Sequence, residues 1–275
     1  MNTDSIFQIG HDHKVCEDFS LSGISKDFSY IITCDGCSSS TSVDIGARIL
    51  SMVAEGKILN VIPDWNWSND FPAVEFGKFI INAAAEIYNI IPQLHPEALD
   101  CTLLIAFVTN VTKKLTVVIY GDGVFIHRRK NNLTTIHVNL ANGSSDNLKS
   151  APDYLSYYLD SGRMKSYNNL IDNKKEIYSN YNGLKETNFY KPHEPFVYEC
   201  NVEAGDVISV ISDGINSFKK ADNTSIDWQD LVDEFTLYKT TEGEFVQRRI
   251  SAFKRKCLKE GITHSDDISI ATIIV

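Results

Sequence analysis

Carboxylates recur at one kind of place along this chain: the end or the start of an apolar run, beside a glycine or a second acid. Glu17-Asp18 precedes FSLSGI, Asp35-Gly36 follows SYIITC, Asp213-Gly214 follows VISVIS, and Asp266-Asp267 precedes ISIATIIV. Asp122 stands in YGDG, between two further apolar runs. Taken singly, each has an ordinary explanation as a turn, because Asp bonds its own backbone and Gly tolerates positive φ. Taken together, they allow chemistry. A carboxylate flanking an apolar strand sits at the rim of the core, where desolvation disfavours an unpaired charge. Several such rims meeting at one end of a sheet would crowd negative charge that only protonation or bound cations relieve. Oxygen ligands alone suit hard cations such as magnesium or manganese rather than zinc.

The elements that must bring those rims together read mostly as strands. SIFQIG (5–10), DFSLSGI (18–24) and FSYIITC (28–34) come first; CTLLIAFVT (101–109), LTVVIYGD (115–122), VFIHRR (124–129) and LTTIHVNL (133–140) follow in close succession. PFVYECNV (195–202), GDVISVISDG (205–214) and ISIATIIV (268–275) complete the set. Val, Ile, Phe, Tyr and Thr dominate them, and the short gaps predict antiparallel meanders. Helices are expected between the groups. Residues 39–56 open on good N-cap residues and end at Gly56. Residues 74–91 place Phe76, Phe79, Ile80, Ala83, Ala84, Ile87, Ile90 and Ile91 on one broad face, with Pro92 as the stop. Residues 243–261 bury Val246, Ile250, Phe253 and Cys257 and carry their cations in the later turns. Grouped strands with helices between the groups predict an α+β chain of antiparallel sheets covered by helices, in a single domain spanning 1–275. Residues 142–194 are rich in Asn, Ser, Asp, Lys and Tyr, with few aliphatic runs. They read as an irregular insertion: a surface excursion, or a lid or docking flap. The eight tyrosines from Tyr154 to Tyr198 either line a docking surface or pack.

Composition narrows the classes. The net charge of −10, from 36 acidic against 26 basic residues, makes nonspecific nucleic-acid binding a poor expectation, since that rests on Lys and Arg contacts to phosphates. No apolar run approaches the length of a membrane span, and MNTDSIFQIGHDHK lacks the basic start and apolar core of a secretory signal. A cytoplasmic protein is the default. The six cysteines are Cys16, Cys34, Cys37, Cys101, Cys200 and Cys257, expected as reduced thiols. Cys34-Asp-Gly-Cys37 is a C-x-x-C that leaves redox chemistry or half a zinc site open.

The order E-D, D-G after a strand, C-T-L-L, G-D-G, S-D-G and D-D-I-S before the last strand resembles the metal-dependent protein phosphatases of type 2C, as a divergent, bacterial-like member. Each motif is short, but their order runs from Glu17 to the terminal strand. The resemblance implies a four-layer α-β-β-α sandwich of two antiparallel sheets flanked by helices, with a site for two Mg2+ or Mn2+ ions at one end. It implies that Asp35 bridges both metals and that the Gly36 carbonyl binds one of them. Glu17 would hold the second metal with Asp18 behind it, and Asp213 and Asp266 would complete the first. Asp122, with Asp213, matches a residue supporting a weaker third metal in some relatives. Asp35 and Asp213 are then the catalytic carboxylates. The implied activity is hydrolysis of phosphoserine or phosphothreonine in proteins by a metal-activated water, with a cognate kinase as a further partner.

Two departures from the pattern bear on that activity. Relatives usually carry an Arg four residues before the metal-binding Glu, to grip the substrate phosphate. That position is His13 here, followed by Lys14. His13 or Lys14 is the expected phosphate contact, although His offers no bidentate fork. The loop Asp35-Gly36-Cys37-Ser38-Ser39 stands where relatives have D-G-x-G-G, losing two glycines. These changes keep a second expectation alive: a catalytically weak pseudophosphatase that serves as a binding or regulatory module.

Overall fold

The computed structural model describes residues 1–64, 70–138, 152–170, 175–190 and 193–275. The last two residues of the strand expected at 133–140, and the first ten of the excursion at 142–194, lie outside the described residues.

Strands β1 (Asn2–Gln8), β2 (Phe19–Ile24) and β3 (Phe28–Cys34) lead into helices α1 (Val43–Val61) and α2 (Ala73–Tyr88). Then come β4 (Leu103–Thr109), β5 (Lys114–Tyr120), β6 (Gly123–Arg128) and β7 (Leu133–Val138). The excursion holds a 3-10 turn (Leu155–Leu159), helix α3 (Ser161–Leu170) and a hairpin of β8 (Lys175–Tyr181) and β9 (Leu184–Tyr190). The chain closes with β10 (Phe196–Asn201), β11 (Val207–Ile211), β12 (Phe218–Lys219), α4 (Trp228–Thr236), α5 (Phe245–Glu260), β13 (Thr263–His264) and β14 (Ile268–Ile274). Among the described residues, no helix is long and apolar enough to cross a membrane.

Two antiparallel sheets result, a seven-stranded one in the order β1-β14-β11-β6-β7-β8-β9 and a five-stranded one in the order β10-β5-β4-β3-β2. Side-chain alternation along each strand builds the layers. On β3, Ile31 faces the second sheet and Ile32 faces α1 and α2; on β4, Leu104 and Ala106 point inward while Leu103, Ile105 and Phe107 point to the helices. The space between the sheets is filled from the other side by Phe125, Ile136, Ile208, Val210, Ala271 and Ile273. On the outer face of the seven-stranded sheet, Val124, Ile126, Ile211, Ile268 and Ile270 receive Leu231, Phe235, Ile250 and Phe253 from α4 and α5. The chain is thus the α-β-β-α sandwich expected.

Register then decides where the acids go. Phe19 pairs with Cys34, so Asp18 and Asp35 lie at the same end of the five-stranded sheet. In the other sheet Ile211 pairs with Ile270 and with Val124, which brings Asp213, the Asp266-Asp267 pair and Asp122 to one end as well.

The helices differ from expectation in three respects. α1 continues past Gly56 to Val61, with Ile58 buried in the turn beyond the glycine. Its N-cap, Ser42, sits at φ 61° and makes no side-chain cap bond. α2 stops at Tyr88, before Pro92, and its buried stripe is Phe76, Gly77, Ile80, Ile81 and Ala84. Phe79, Ile87, Ile90 and Ile91 are exposed. The stripe is narrower than the run of apolar residues, and Phe79 instead carries the Lys57 ammonium 3.6 Å from its ring centroid.

Candidate metal centre

Asp35 is delivered by the end of β3, and its backbone is tied to the segment before β4. Cys37 N–H donates to the Asp100 carbonyl (2.9 Å), Thr102 N–H to the Asp35 carbonyl (2.8 Å), and Gly36 bridges Cys101. In an antiparallel bridge of this kind the two ladder bonds come from the flanking residues, so the pairing leaves the Gly36 carbonyl unspent. Burial, and then the charges of Asp18 and Asp213, hold the Asp35 carboxyl well above the usual carboxylate range.

Asp18 is 1% exposed. Burial pushes its carboxyl up to about 7; neighbouring Asp35, Ser212 and Ser269 oppose the rise, while the charge of Asp213 adds to it. Neither carboxylate oxygen completes a well-aligned hydrogen bond, although these groups surround it. Asp213 opens the 3-10 turn Asp213–Ser217 that follows β11. The turn lies so close to the Asp266-Asp267 segment that a Cβ on Gly214 would come 1.7 Å from the Asp267 carbonyl oxygen. The glycine of S-D-G is thus required for close approach as well as for turning.

Asp266 is lifted by burial and by Asp213, against the Asp267 N–H and His13, which lower it. Its neighbour Asp267 turns inward and organises the loop before β2. It accepts from Gly10 N–H (2.7 Å) and Glu17 N–H (2.5 Å) through separate oxygens. Gly10 packs against the same strand entry, where a Cβ would lie 2.3 Å from the Asp266 carbonyl carbon. The sequence reading singled out Asp266 and passed over Asp267. Two adjacent acids before a strand point to opposite sides, and nothing local says which side is the interior.

The two expected phosphate contacts part company. Lys14 is exposed. His13 is directed into the acids: Nδ1 lies 3.0 Å from Asp267 and 3.8 Å from Glu17, and Nε2 lies 3.3 Å from Asp266. Burial works to lower its pKa, but the contact with Asp267 and the charges of Asp267, Asp266 and Glu17 outweigh it, so the imidazole is held above its ordinary value.

Asp122, in the β5–β6 turn, is buried and bears electrostatically on Tyr154 and Tyr167 of the excursion. Tyr154 also lies within electrostatic reach of Cys37 and Asp35. Tyr154, Tyr157 and Tyr167 form one buried cluster with Cys37 and Met164 beside it. Asp100, which the sequence reading missed, anchors this cover: it accepts from Ser156 Oγ (2.6 Å), Ser40 Oγ (3.1 Å) and Arg163 Nη2 (2.7 Å). The described part of the excursion is therefore structured: its tyrosine cluster packs against the loop that carries Asp35 and against Asp100, while β8 and β9 extend the seven-stranded sheet. Its polarity hid it, because its strands and helix bury few aliphatic side chains. The C-x-x-C is not one unit: Cys34 lies in the core under α1, whereas Cys37 belongs to the tyrosine cluster.

Asp18, Asp35, Asp213 and Asp266 are thus brought together, with Glu17 and Asp267 on the adjoining loop. Among the described residues no Lys or Arg forms an ion pair with any of the six. Glu17 Oε2 and both Asp18 oxygens are closed off from solvent without a hydrogen-bond partner. A donor set of carboxylates with buried, unpartnered oxygens and no protein cation fits hard divalent metals.

Residues 10–148, about half of the 275-residue chain, match the family model for protein phosphatase 2C. No curated protein matches the sequence. Solved structures match its fold. One is the phosphatase domain, with a fragment of the regulatory domain, of the cell fate determinant SpoIIE from Bacillus subtilis. It is similar at TM-score 0.53 and 11% identity, over 99% of this chain and 63% of that one, so this chain spans less than two thirds of its length. A bacterial serine phosphatase is similar at TM-score 0.54 and 9% identity, over 100% of this chain and 98% of that one. A structure described under the bacterial stressosome, a modular system adapted to control secondary messenger signalling, is similar at TM-score 0.51 and 12% identity, over 98% and 97% of the two chains. With the E-D, D-G, C-T-L-L and G-D-G rims all inside the matched segment, this chain belongs to the protein phosphatase 2C family.

Proposed function

We propose that the chain is a Mg2+- or Mn2+-dependent serine/threonine protein phosphatase acting in the cytoplasm, in signalling, on the substrates of a cognate kinase. The observation that carries this reading is the convergence of Asp18, Asp35, Asp213 and Asp266, whose pKa values, wherever a shift is resolved, are pushed up by burial and by one another. Asp35, Asp213 and Asp266 would hold one cation; Asp35, the Gly36 carbonyl and Glu17 the second; Asp122 with Asp213 a third. Two such cations acidify a water and clamp phosphoryl oxygens for in-line attack, which this slow hydrolysis requires.

The chain's own groups have narrower tasks. Asp35 and Asp213 fix the spacing of the two charges. Asp18 keeps Asp35 in place from behind, with Ser212 and Ser269 as its neighbours. Lys14, exposed on the same loop, would contact the phosphate, since His13 is engaged with the acids. The excursion at 142–194, through its tyrosine-rich cover, would contact the phosphoprotein. The test is hydrolysis of p-nitrophenyl phosphate and phosphopeptides by the purified, manganese-loaded chain. Activity should vanish with EDTA and fall by orders of magnitude in Asp213→Asn; an inert loaded protein would sink the proposal.

The inward turn of His13 favours a second reading, a weak phosphatase retained as a binding module. Calorimetric manganese titration separates the two. Tight binding with turnover supports the enzyme, and feeble binding without turnover supports the module.

A further inference from the structure

His13 occupies a constellation of which the phosphatase reading uses only Glu17. Its Nδ1, Glu17 Oε2 and an Asp267 carboxylate oxygen form a group whose donor atoms all lie within 4.8 Å of one another. The 3.0 Å approach of His13 Nδ1 to Asp267 Oδ2 is off the line a hydrogen bond needs. Nδ1 and Glu17 Oε2 are both shut off from solvent and unpartnered. The loop that carries His13 is also pinned by backbone bonds. His11 N–H donates to the His264 carbonyl (2.9 Å), Asp12 N–H to the Ser265 carbonyl (3.2 Å), and His13 N–H to the Gly10 carbonyl (3.4 Å). The Gly10 contact with Asp266 and the two N–H groups on Asp267 pin the same loop. Three potential ligands from two loops therefore converge, and two of their donor atoms, the His13 nitrogen and a Glu17 oxygen, are unspent.

We propose that His13 is a nitrogen ligand of the divalent cation held by Glu17 and Asp267, which makes this a mixed nitrogen–oxygen site selective for manganese-class transition metals over magnesium. The inference rests on the metal-dependent reading above. Its chemical reason is that magnesium dehydrates reluctantly and is served by oxygen, whereas imidazole raises affinity for first-row transition metals. An Arg at this position would bring a charge that repels a cation; a His brings a lone pair. Asp267, already accepting two backbone N–H groups, fixes the geometry in which the imidazole can ligate.

The test is pulsed EPR on the full-length chain loaded with Mn2+, alongside calorimetry with Mn2+ and with Mg2+. The expected result is an imidazole 14N coupling to manganese that persists in His264→Gln and disappears in His13→Gln and His13→Arg. Manganese affinity should fall at least about tenfold in both His13 variants, with magnesium affinity unchanged in His13→Gln. Circular dichroism establishes that the variants are folded, and the two substitutions guard against one of them failing. Manganese binding without nitrogen coupling, or coupling that survives His13→Gln, overturns the inference and leaves the phosphatase reading standing. Absence of any manganese binding by the native chain overturns both.

Discussion

The two ends of β11 carry aspartates with opposite fates. Asp206, just before the strand, is 4% exposed and fully served: His127 Nε2 stands at 2.8 Å, Arg129 Nε at 3.5 Å, and Glu203 N–H donates at 3.1 Å. Asp213, just after the strand, faces Asp18, Asp35 and Asp266 instead. One end has its counter-charge built in. The other gathers like charges, whose desolvation and repulsion only His13 partly relieves and, among the described residues, no Lys or Arg offsets. The same fold supplies Asp206 with its partners a strand's length away and leaves at the other end carboxylates that protonation or a bound cation would satisfy.

The sharpest way to break this comparison is Asp35→Asn. It should reduce manganese affinity by more than about 100-fold while raising the melting temperature of the metal-free protein at pH 7.5, because the amide is neutral without the proton uptake that burial and the neighbouring acids demand of Asp35. Calorimetry and thermal melts in EDTA check both halves, and a melting temperature that falls would contradict the repulsion argument. At the far end, Asp206→Ala should destabilise by about 3–5 kcal/mol, the cost of stranding a buried partner, with manganese affinity unchanged. A urea titration and the same calorimetry decide that.

Acidity sharpens the contrast further. In the metal-free chain the Asp18 carboxyl, at about 7, and the Asp35 carboxyl, well above its usual range, hold protons that the unfolded chain has released by about pH 4. Folding takes up those protons, so the stability these groups allow is greatest below about pH 4 and is lost as pH rises toward 7. Burial lowers His127 at the other end. There the unfolded chain takes the proton first, and stability falls as pH drops below about 6.5. Manganese relieves only the carboxylate end. The difference in urea midpoint between manganese and EDTA should therefore widen from pH 5 to pH 7.5, and a flat difference would count against it. The smallest effect is expected from Arg163→Ala. It removes the guanidinium from Asp100 and from the Tyr157 ring, whose centroid lies 5.0 Å away. A loss of about 1–2 kcal/mol, with faster proteolysis within 152–170, should leave the sandwich intact.

How much of this was legible varies with the kind of information. The strand edges at Phe28–Cys34 and Ile268–Ile274 coincide with the apolar runs because alternation between two buried faces leaves no freedom in where they stop. Helix α5 buries Val246, Ile250, Phe253 and Cys257 as its spacing predicts. Helix α4, with Trp228, Leu231, Val232 and Phe235 as its buried stripe, was missed, being too short for its periodicity to stand out. In α2 the periodicity held but its width misled, since Ile87 and Ile90 lie beyond the sheet. Hairpin β8–β9 was unreadable for another reason. An edge hairpin gains its order from pairing with β7, a contact between Thr134 and Tyr181 that local composition does not encode.

By itself the sequence determined the kinds of element, the placing of acids at strand rims and the family order of the motifs. These follow from short-range chemistry: alternation, turn residues, and the cost of charge beside an apolar run. Only the tertiary structure decided which acids meet, that Asp267 rather than Asp266 turns inward, that His13 joins the carboxylates instead of facing a phosphate, and that Asp100 and Arg163 tie the tyrosine cover to the site. Those outcomes depend on register and on the close approach of backbones at Gly10 and Gly214, where segments more than fifty residues apart in the chain come into contact.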